Sequence, residues 1–238
     1  MAPHTYLGKI AILLSNMTRW DATLPPSNRP IFIRFARFTA LPTIVTTNVP
    51  DYFYVLNIDS CPLASLTRSA FDQMPYLERL FLVIISFATF PDAIIAALPL
   101  LYDLNLRDNN LATVPMTWQT QTTAGKYLRS VWFDGNQLQD GPWAMVRQGV
   151  LVDLSSNPIA SVAQSAHDIP TAIANGQVVL DDTPYCHASP DIAGCRHSLC
   201  ASGCYTYMRR DHFCGPACFN SACAYDGGDC DDMDFDRP

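Results

Sequence analysis

The sequence predicts an α/β repeat, a solenoid of short strands, followed by a small disulfide-rich module with little regular structure. Two observations carry this reading. Between residues 31 and 162 the apolar side chains return in a fixed pattern every 21 to 27 residues. Eight of the nine cysteines lie between Cys186 and Cys230, and the span 200–230 holds six of them without a single Val, Ile or Leu. The first pattern builds a core by stacking; the second segment has no aliphatic core to build. With 238 residues, 49% hydrophobic and 16% charged, the chain has the makeup of packed protein rather than disordered chain.

The repeat is clearest in "LYDLNLRDNNLATVP", where Leu101, Leu104, Leu106, Asn109 and Leu111 follow L-x-x-L-x-L-x-x-N-x-L and run on to Val114 and Pro115. Leu128, Val131, Phe133, Asn136 and Leu138 form the next copy, and Val152, Leu154, Asn157, Ile159 and Val162 the one after. Toward the N-terminus the apolar skeleton persists while the Asn is replaced by Ile85, Cys61 and Ala36. A weaker turn precedes these copies at Ile10 and Ile12, and another follows at Val178, Leu180, Thr183 and Tyr185. This resembles the leucine-rich repeat and implies one strand per copy, with alternate side chains inside, then a turn in which the Asn amide bonds otherwise unsatisfied backbone. No copy can bury its own face, so about six to eight turns must stack over residues 1–195. Cys61, at an Asn position, is expected to be a buried free thiol. The apolar run 83–101 is as long as a membrane span, but Asp92, Pro91 and Pro99 interrupt it and the repeat register passes through it, so it is read as solenoid core.

That register also names the side chains that alternate outward. Phe32, Asn57, Phe81, Asn105, Trp132 and Asp153 occupy the strand centres, with Val179 in the last turn. Arg79, Asp59, Asp103, Arg107, Asp108, Asp134, Asp181 and Asp182 flank them. Solenoids present this concave face to partners, and Trp132 among carboxylates suits a basic or aromatic-anchored protein ligand. The plainer alternative is that the aromatics pack on one another while the aspartates are merely solvated.

A final repeat leaves one apolar face open, and a Cys186–Cys195 bridge after "VVLDDTPYC" would pin a covering loop there. The arrangement is similar to the cysteine-flanked caps of extracellular leucine-rich-repeat proteins, with one cysteine pair instead of two.

From Cys200 the cysteines are separated by three, nine, three, four and six residues and end in "DGGDC". Clustered thiols mean a disulfide framework or a zinc site. The absence of Cys-x-x-Cys knuckles and the nearby aspartates favour disulfides with a hard cation. Six cysteines allow fifteen pairings. The spacing resembles the Notch-type (LNR) repeat over residues 196–232, with 233–238 an acidic tail. The resemblance implies Cys200–Cys223, Cys204–Cys218 and Cys214–Cys230. It also implies a calcium site from Asp211, the Phe213 carbonyl, Asp226 and Asp229, although His212 and Gly215 stand where the family carries a glycine and an acid. Independently of it, Gly227 and Gly228 let the chain turn tightly enough for Asp226 and Asp229 to face one ion.

The cystines place the expected location outside the cell or at its surface. The N-terminus shows no signal-peptide cleavage pattern, so an internal piece of a longer precursor or another export route is expected. In that setting Asn16-Met17-Thr18 is a glycosylation acceptor. A net charge of −7 argues against nucleic acid. No nucleophile elbow, zinc-protease motif or phosphate loop occurs, and the five histidines are scattered, so no enzyme is expected. The expected function is non-catalytic protein recognition with the calcium module as cap and spacer. The alternative is an ectodomain fragment of a larger receptor, a receptor kinase included, in which the Notch-type repeat controls access to a protease site.

Overall fold

Eight short strands pair in parallel and in sequence order to form one sheet: β1 (Ile10–Leu13), β2 (Ile31–Arg34), β3 (Val55–Asp59), β4 (Arg79–Val83), β5 (Asp103–Asn105), β6 (Ser130–Trp132), β7 (Leu151–Asp153) and β8 (Val178–Val179). They belong to a computed structural model that describes residues 10–21, 30–47, 49, 53–64, 66, 68–90, 94–115, 117–118, 127–162, 168–188, 192–195, 199–205, 209 and 214–230. The register aligns Ile31, Leu56, Leu80, Leu104, Val131, Val152 and Val178 across seven strands. Each of these is at most 1% exposed. One inward column therefore runs the length of the solenoid, and burying each aliphatic side chain contributes about 1.5–3 kcal/mol.

Every repeat turns in the same way. The residue just before the Asn position adopts the left-handed conformation, directly after β1 to β4 at Leu14 (φ 49°), Phe35 (53°), Ser60 (51°) and Ile84 (51°), and three residues past β5 to β8 at Asp108 (52°), Gly135 (66°), Ser156 (54°) and Asp182 (56°). Most of these residues still donate an N–H to the neighbouring turn, as Phe35 does to Asp59, Ser60 to Val83 and Asp108 to Asp134. The reversal swings the next side chain, the Asn position, into the core. There Asn109 Nδ2 reaches the carbonyls of Leu82, Leu106 and Arg107 at 2.8–3.0 Å, while its Oδ1 accepts from the N–H of Ile85 and Phe87. Asn136 and Asn157 repeat the pattern one and two turns on, each reaching back to the preceding turn, at Leu106 and at Phe133. In the last turn the Thr183 hydroxyl takes over, donating to Leu180 and accepting from the Cys186 N–H. Cys61 is a free, buried thiol. Burial pushes its pKa up, and the protonated sulfur donates to Asp59 O at 3.3 Å. It is a one-donor substitute for an amide.

Short helices cross the opposite side of the solenoid: α1 (Ile94–Ala97), α2 (Trp143–Arg147), α3 (Ile169–Ala174) and α4 (Pro184–Ala188). Each of the first three turns buried aliphatic or aromatic side chains inward. The long repeat between Asn109 and Asn136 carries Trp118, which is 1% exposed and stacks edge-on against Phe90 with centroids 5.3 Å apart. Within the run 83–101, Val83 ends β4 and Ile94–Ala97 form α1, residues 91–93 lie outside the described residues, and no helix among the described residues is long and apolar enough to cross a membrane.

The C-terminal end of the solenoid is closed by the loop that the Cys186–Cys195 disulfide pins. Tyr185, Ile192 and Cys195 pack on the core. Gly194 (φ 102°) approaches so closely that a Cβ there would meet the Ile173 carbonyl oxygen at 2.4 Å. The cap fits because that position has no side chain.

The chain divides into two compact units, Met1–Cys195 and Arg196–Pro238. In the second, β9 (Leu199–Ala201) and β10 (Cys204–Tyr205) form an antiparallel pair. Disulfides join Cys200 to Cys223, Cys204 to Cys218 and Cys214 to Cys230. The buried cluster of this unit is Cys204, Cys218 and Cys223, with Cys200 and Ala201 against it. Sulfur replaces the missing aliphatics. The acidic tail expected over 233–238 lies outside the described residues.

Candidate functional site

The strand centres of the solenoid unit meet across the sheet in the order Phe32, Asn57, Phe81, Asn105, Trp132, Asp153, Val179. Tall aromatic side chains thus alternate with short amides. Phe32 and Trp132 are half-buried, whereas Asn57, Phe81, Asn105 and Asp153 are buried. The face is therefore less open than alternation alone implies, because rings on neighbouring strands about 4.8 Å away shade the shorter side chains between them. Asn57 Oδ1 and Asn105 Nδ2 are buried without a hydrogen-bond partner. The other end of the Asn105 amide accepts from the Arg107 N–H.

Beside this column runs a charged one. Arg34 and Asp59, both buried, face each other at 3.6 Å. Arg107 Nε lies 3.3 Å from both Asp108 Oδ2 and Asp134 Oδ2. Asp134 is 2% exposed, and its Oδ1 has no hydrogen-bond partner. Burial pushes its pKa up to about 7, with Asp153 and Asp108 adding to the push and Arg107 opposing it. Asp153 is raised to about 6, again chiefly by burial, although the Ser155 N–H and hydroxyl both donate to its Oδ1. Burial likewise raises Asp59. Of the flanking residues, Asp59, Asp103, Arg107, Asp134 and Asp181 are buried, which excludes simple solvation as their role.

A second concavity was not legible in the sequence. Glu78, Leu100, Tyr102, Tyr127 and Arg129, from the approaches to β4, β5 and β6, line a shallow cleft of about 370 Å³. The Arg79 guanidinium lies 5.2 Å from the centre of the Tyr102 ring, and its Nε donates to the Tyr102 hydroxyl. The only signal for it was the recurrence of tyrosine just before the strands.

In the C-terminal unit, Ala224, Tyr225, Asp226, Gly227 and Gly228 are all left-handed in succession. Three of the five are not glycine, and such residues cost about 1–2 kcal/mol each in that conformation. The run sets Asp226 fully buried, with Oδ2 accepting the Gly215 N–H. Asp229 follows directly, and its Oδ2 is buried without a hydrogen-bond partner. Cys214, Asp226 and Cys230 gather ligand atoms within 4.8 Å, as do Cys200, Cys204 and Cys223. These sulfurs are disulfide-bonded. They offer no thiolate for zinc, so the carboxylates remain as donors, and carboxylate oxygen is what calcium takes. Asp226 and Asp229, at the left-handed turn and just after it, are the described carboxylates that would serve as oxygen donors to a calcium ion. Asp211 and Phe213 lie outside the described residues. Asn16 is exposed, in the loop after β1.

Residues 193–231 match the family model of the Notch LNR domain. No curated protein matches the chain. Among solved structures the chain is similar to human 5T4 (Wnt-activated inhibitory factor 1, trophoblast glycoprotein), at 18% identity and a TM-score of 0.45, over 71% of this chain and 83% of that one. That likeness is too low to bear on a ligand. The repeat architecture and the matched segment make the chain a leucine-rich-repeat solenoid followed by an LNR domain.

Proposed function

We propose that the chain is a non-catalytic extracellular recognition module whose concave sheet face binds a protein ligand, and whose LNR domain holds calcium through Asp226 and Asp229 as cap and spacer. The observation that supports the first part is the strand-centre column. Phe32 and Trp132 stand half-buried on the sheet above amides with unused hydrogen-bonding groups, an arrangement suited to a partner that brings its own polar backbone. Asp211 and the Phe213 carbonyl complete the calcium site by resemblance. Calcium would supply the positive charge that these carboxylates face, and the chain's own contribution is the left-handed turn that presents them. Exposed Asn16 is the acceptor for glycan in this setting.

The test is a display screen of extracellular protein fragments against the whole chain, repeated with Trp132→Ala. A hot spot at Trp132 should weaken the selected complex by about 2 kcal/mol or more with the thermal midpoint nearly unchanged. Binding indifferent to Trp132 would move the ligand site elsewhere.

A further inference from the structure

The C-terminal half of the concave face is rich in carboxylates. Asp108, Asp134, Asp153, Asp181 and Asp182 gather around the ends of β5 to β8, and Arg107 is the guanidinium the structure places among them. Its Nε is shared between Asp108 and Asp134. The far oxygen of Asp134 stays buried and without a hydrogen-bond partner, in a place where an unpaired carboxylate is costly. Independently, Asn105 on the adjoining strand buries an amide N–H₂ with no acceptor. Trp132 is the register neighbour of both Asn105 and Asp153, so an aromatic ring stands between the two.

We propose that this corner, formed by Trp132, Asp134, Asp153 and Asn105, receives one arginine side chain of the protein ligand. The assignment rests on the concave-face reading above and narrows it. Among the described residues, Asp134 and Asp153 are not part of a close group of three or more metal-ligating atoms, so a metal ion would find few donors here. A forked, planar cation suits it better, because a guanidinium can donate to carboxylates on two strands while stacking on an indole. Asn105 Nδ2 is then left to bond a backbone carbonyl of the same ligand segment. Burial raises the carboxyl pKa of both Asp134 and Asp153 against the opposing pull of Arg107, a cost that a second guanidinium would offset.

The test uses the whole chain titrated at constant ionic strength with arginine amide, citrulline amide and lysine amide. The readout is the Trp132 indole N–H resonance, assigned by its loss in Trp132→Phe. Arginine amide should shift that resonance saturably, lysine amide more weakly, and the uncharged citrulline amide not at all. Asp134→Asn and Asp153→Asn should each weaken arginine amide at least roughly tenfold, as expected for a desolvated charge pair. Asp134→Asn should also raise the thermal midpoint of the free protein, which a purely structural ion pair would not do. Equal shifts from arginine amide and citrulline amide, or unchanged affinity in Asp134→Asn, would overturn the assignment. A selected protein fragment that is lost in Trp132→Ala but untouched in Asp134→Asn would overturn it while leaving the concave-face reading standing. Indifference to both would overturn that reading as well.

Discussion

A Cβ on Gly135 would stand 2.3 Å from Oδ1 of Asp108, its counterpart one turn earlier. Both residues are left-handed, at φ 66° and 52°, and the carboxylate of one fills the space that a side chain on the other would need. Gly135→Ala should therefore destabilise through contact as well as through backbone strain, by roughly 2–3 kcal/mol. At Ile84 the same turn position carries a β-branched side chain that is 46% exposed. Ile84→Gly should change stability by less than about 1 kcal/mol, since relief of the left-handed conformation is offset by the roughly half of the side chain's burial that is lost. Thermal melts of the two variants check both expectations. A stabilising Gly135→Ala would mean that Asp108 moves aside freely.

The Asn ladder predicts a graded response. Asn136 Nδ2 serves the carbonyls of Leu106, Phe133 and Asp134, and its Oδ1 accepts from the Leu111 N–H. Asn136→Ala strands all of these in a dry interior and should cost about 3 kcal/mol or more. Cys61 makes one bond at 3.3 Å and another at 4.0 Å, so Cys61→Ala should cost only about 1 kcal/mol. Denaturant midpoints measured side by side decide whether the thiol is a weak stand-in or an equal.

The parts of this molecule that were legible in advance are those where chemistry forces residue type. Asn109, Asn136 and Asn157 announce the turns because no other side chain offers an amide donor and acceptor at that depth. The cysteine spacing and "DGGDC" announce the LNR domain for the same reason. The left-handed residues before each Asn position were invisible, since Leu14, Phe35 and Ile84 are apolar residues in a conformation their type disfavours. Trp118 was equally silent: it fills the extra length of one repeat and follows no period. Burial of Asn57 and Asn105 depends on the height of Phe81 and Trp132 on adjacent strands. That cross-strand property is absent from any linear pattern.

Stability of the solenoid should fall as pH rises from about 4 to 7. Asp134 and Asp153 are raised to about 7 and about 6 in the fold, against about 3.9 for an unfolded aspartate. Between those limits the native state holds more protons than the unfolded one, so the free energy of unfolding decreases with pH. The stabilisation is complete below about pH 4 and is lost as these groups ionise. The facing charges are Arg107, which opposes the shift of both, with Asp108 and Asp153 reinforcing it at Asp134 and Asp181 at Asp153. Melts across this range, with calcium saturating throughout, should show the decline in the parent chain and a flatter curve in Asp134→Asn. A parent curve that rises toward about pH 7 would reverse the assignment of these carboxylates.

Calcium should be part of the fold of the LNR domain and not of the solenoid. Ordering its backbone costs about 1–2 kcal/mol per residue, and among the described residues the buried side chains set against that entropy are the cystine sulfurs and Asp226. Disulfides closing loops of 14, 16 and 23 residues contribute roughly 3 kcal/mol each through the unfolded state. The left-handed run 224–228, the buried Asp226 carboxylate and the buried Oδ2 of Asp229 still have to be offset. A divalent cation would do both, neutralising the carboxylates and holding the turn that carries them. Chelation of the whole chain should leave the solenoid's far-ultraviolet circular dichroism intact and accelerate hydrogen exchange across 214–230, with repeats such as 101–114 unchanged. Asp229→Ala should produce the same exchange pattern at saturating calcium, because it removes a donor without disturbing the Gly215 contact to Asp226. Oxidative refolding in chelator should scramble the three pairings. Exchange across 214–230 that is identical with and without calcium, together with one clean disulfide isomer formed in chelator, would leave the cystines alone holding this domain.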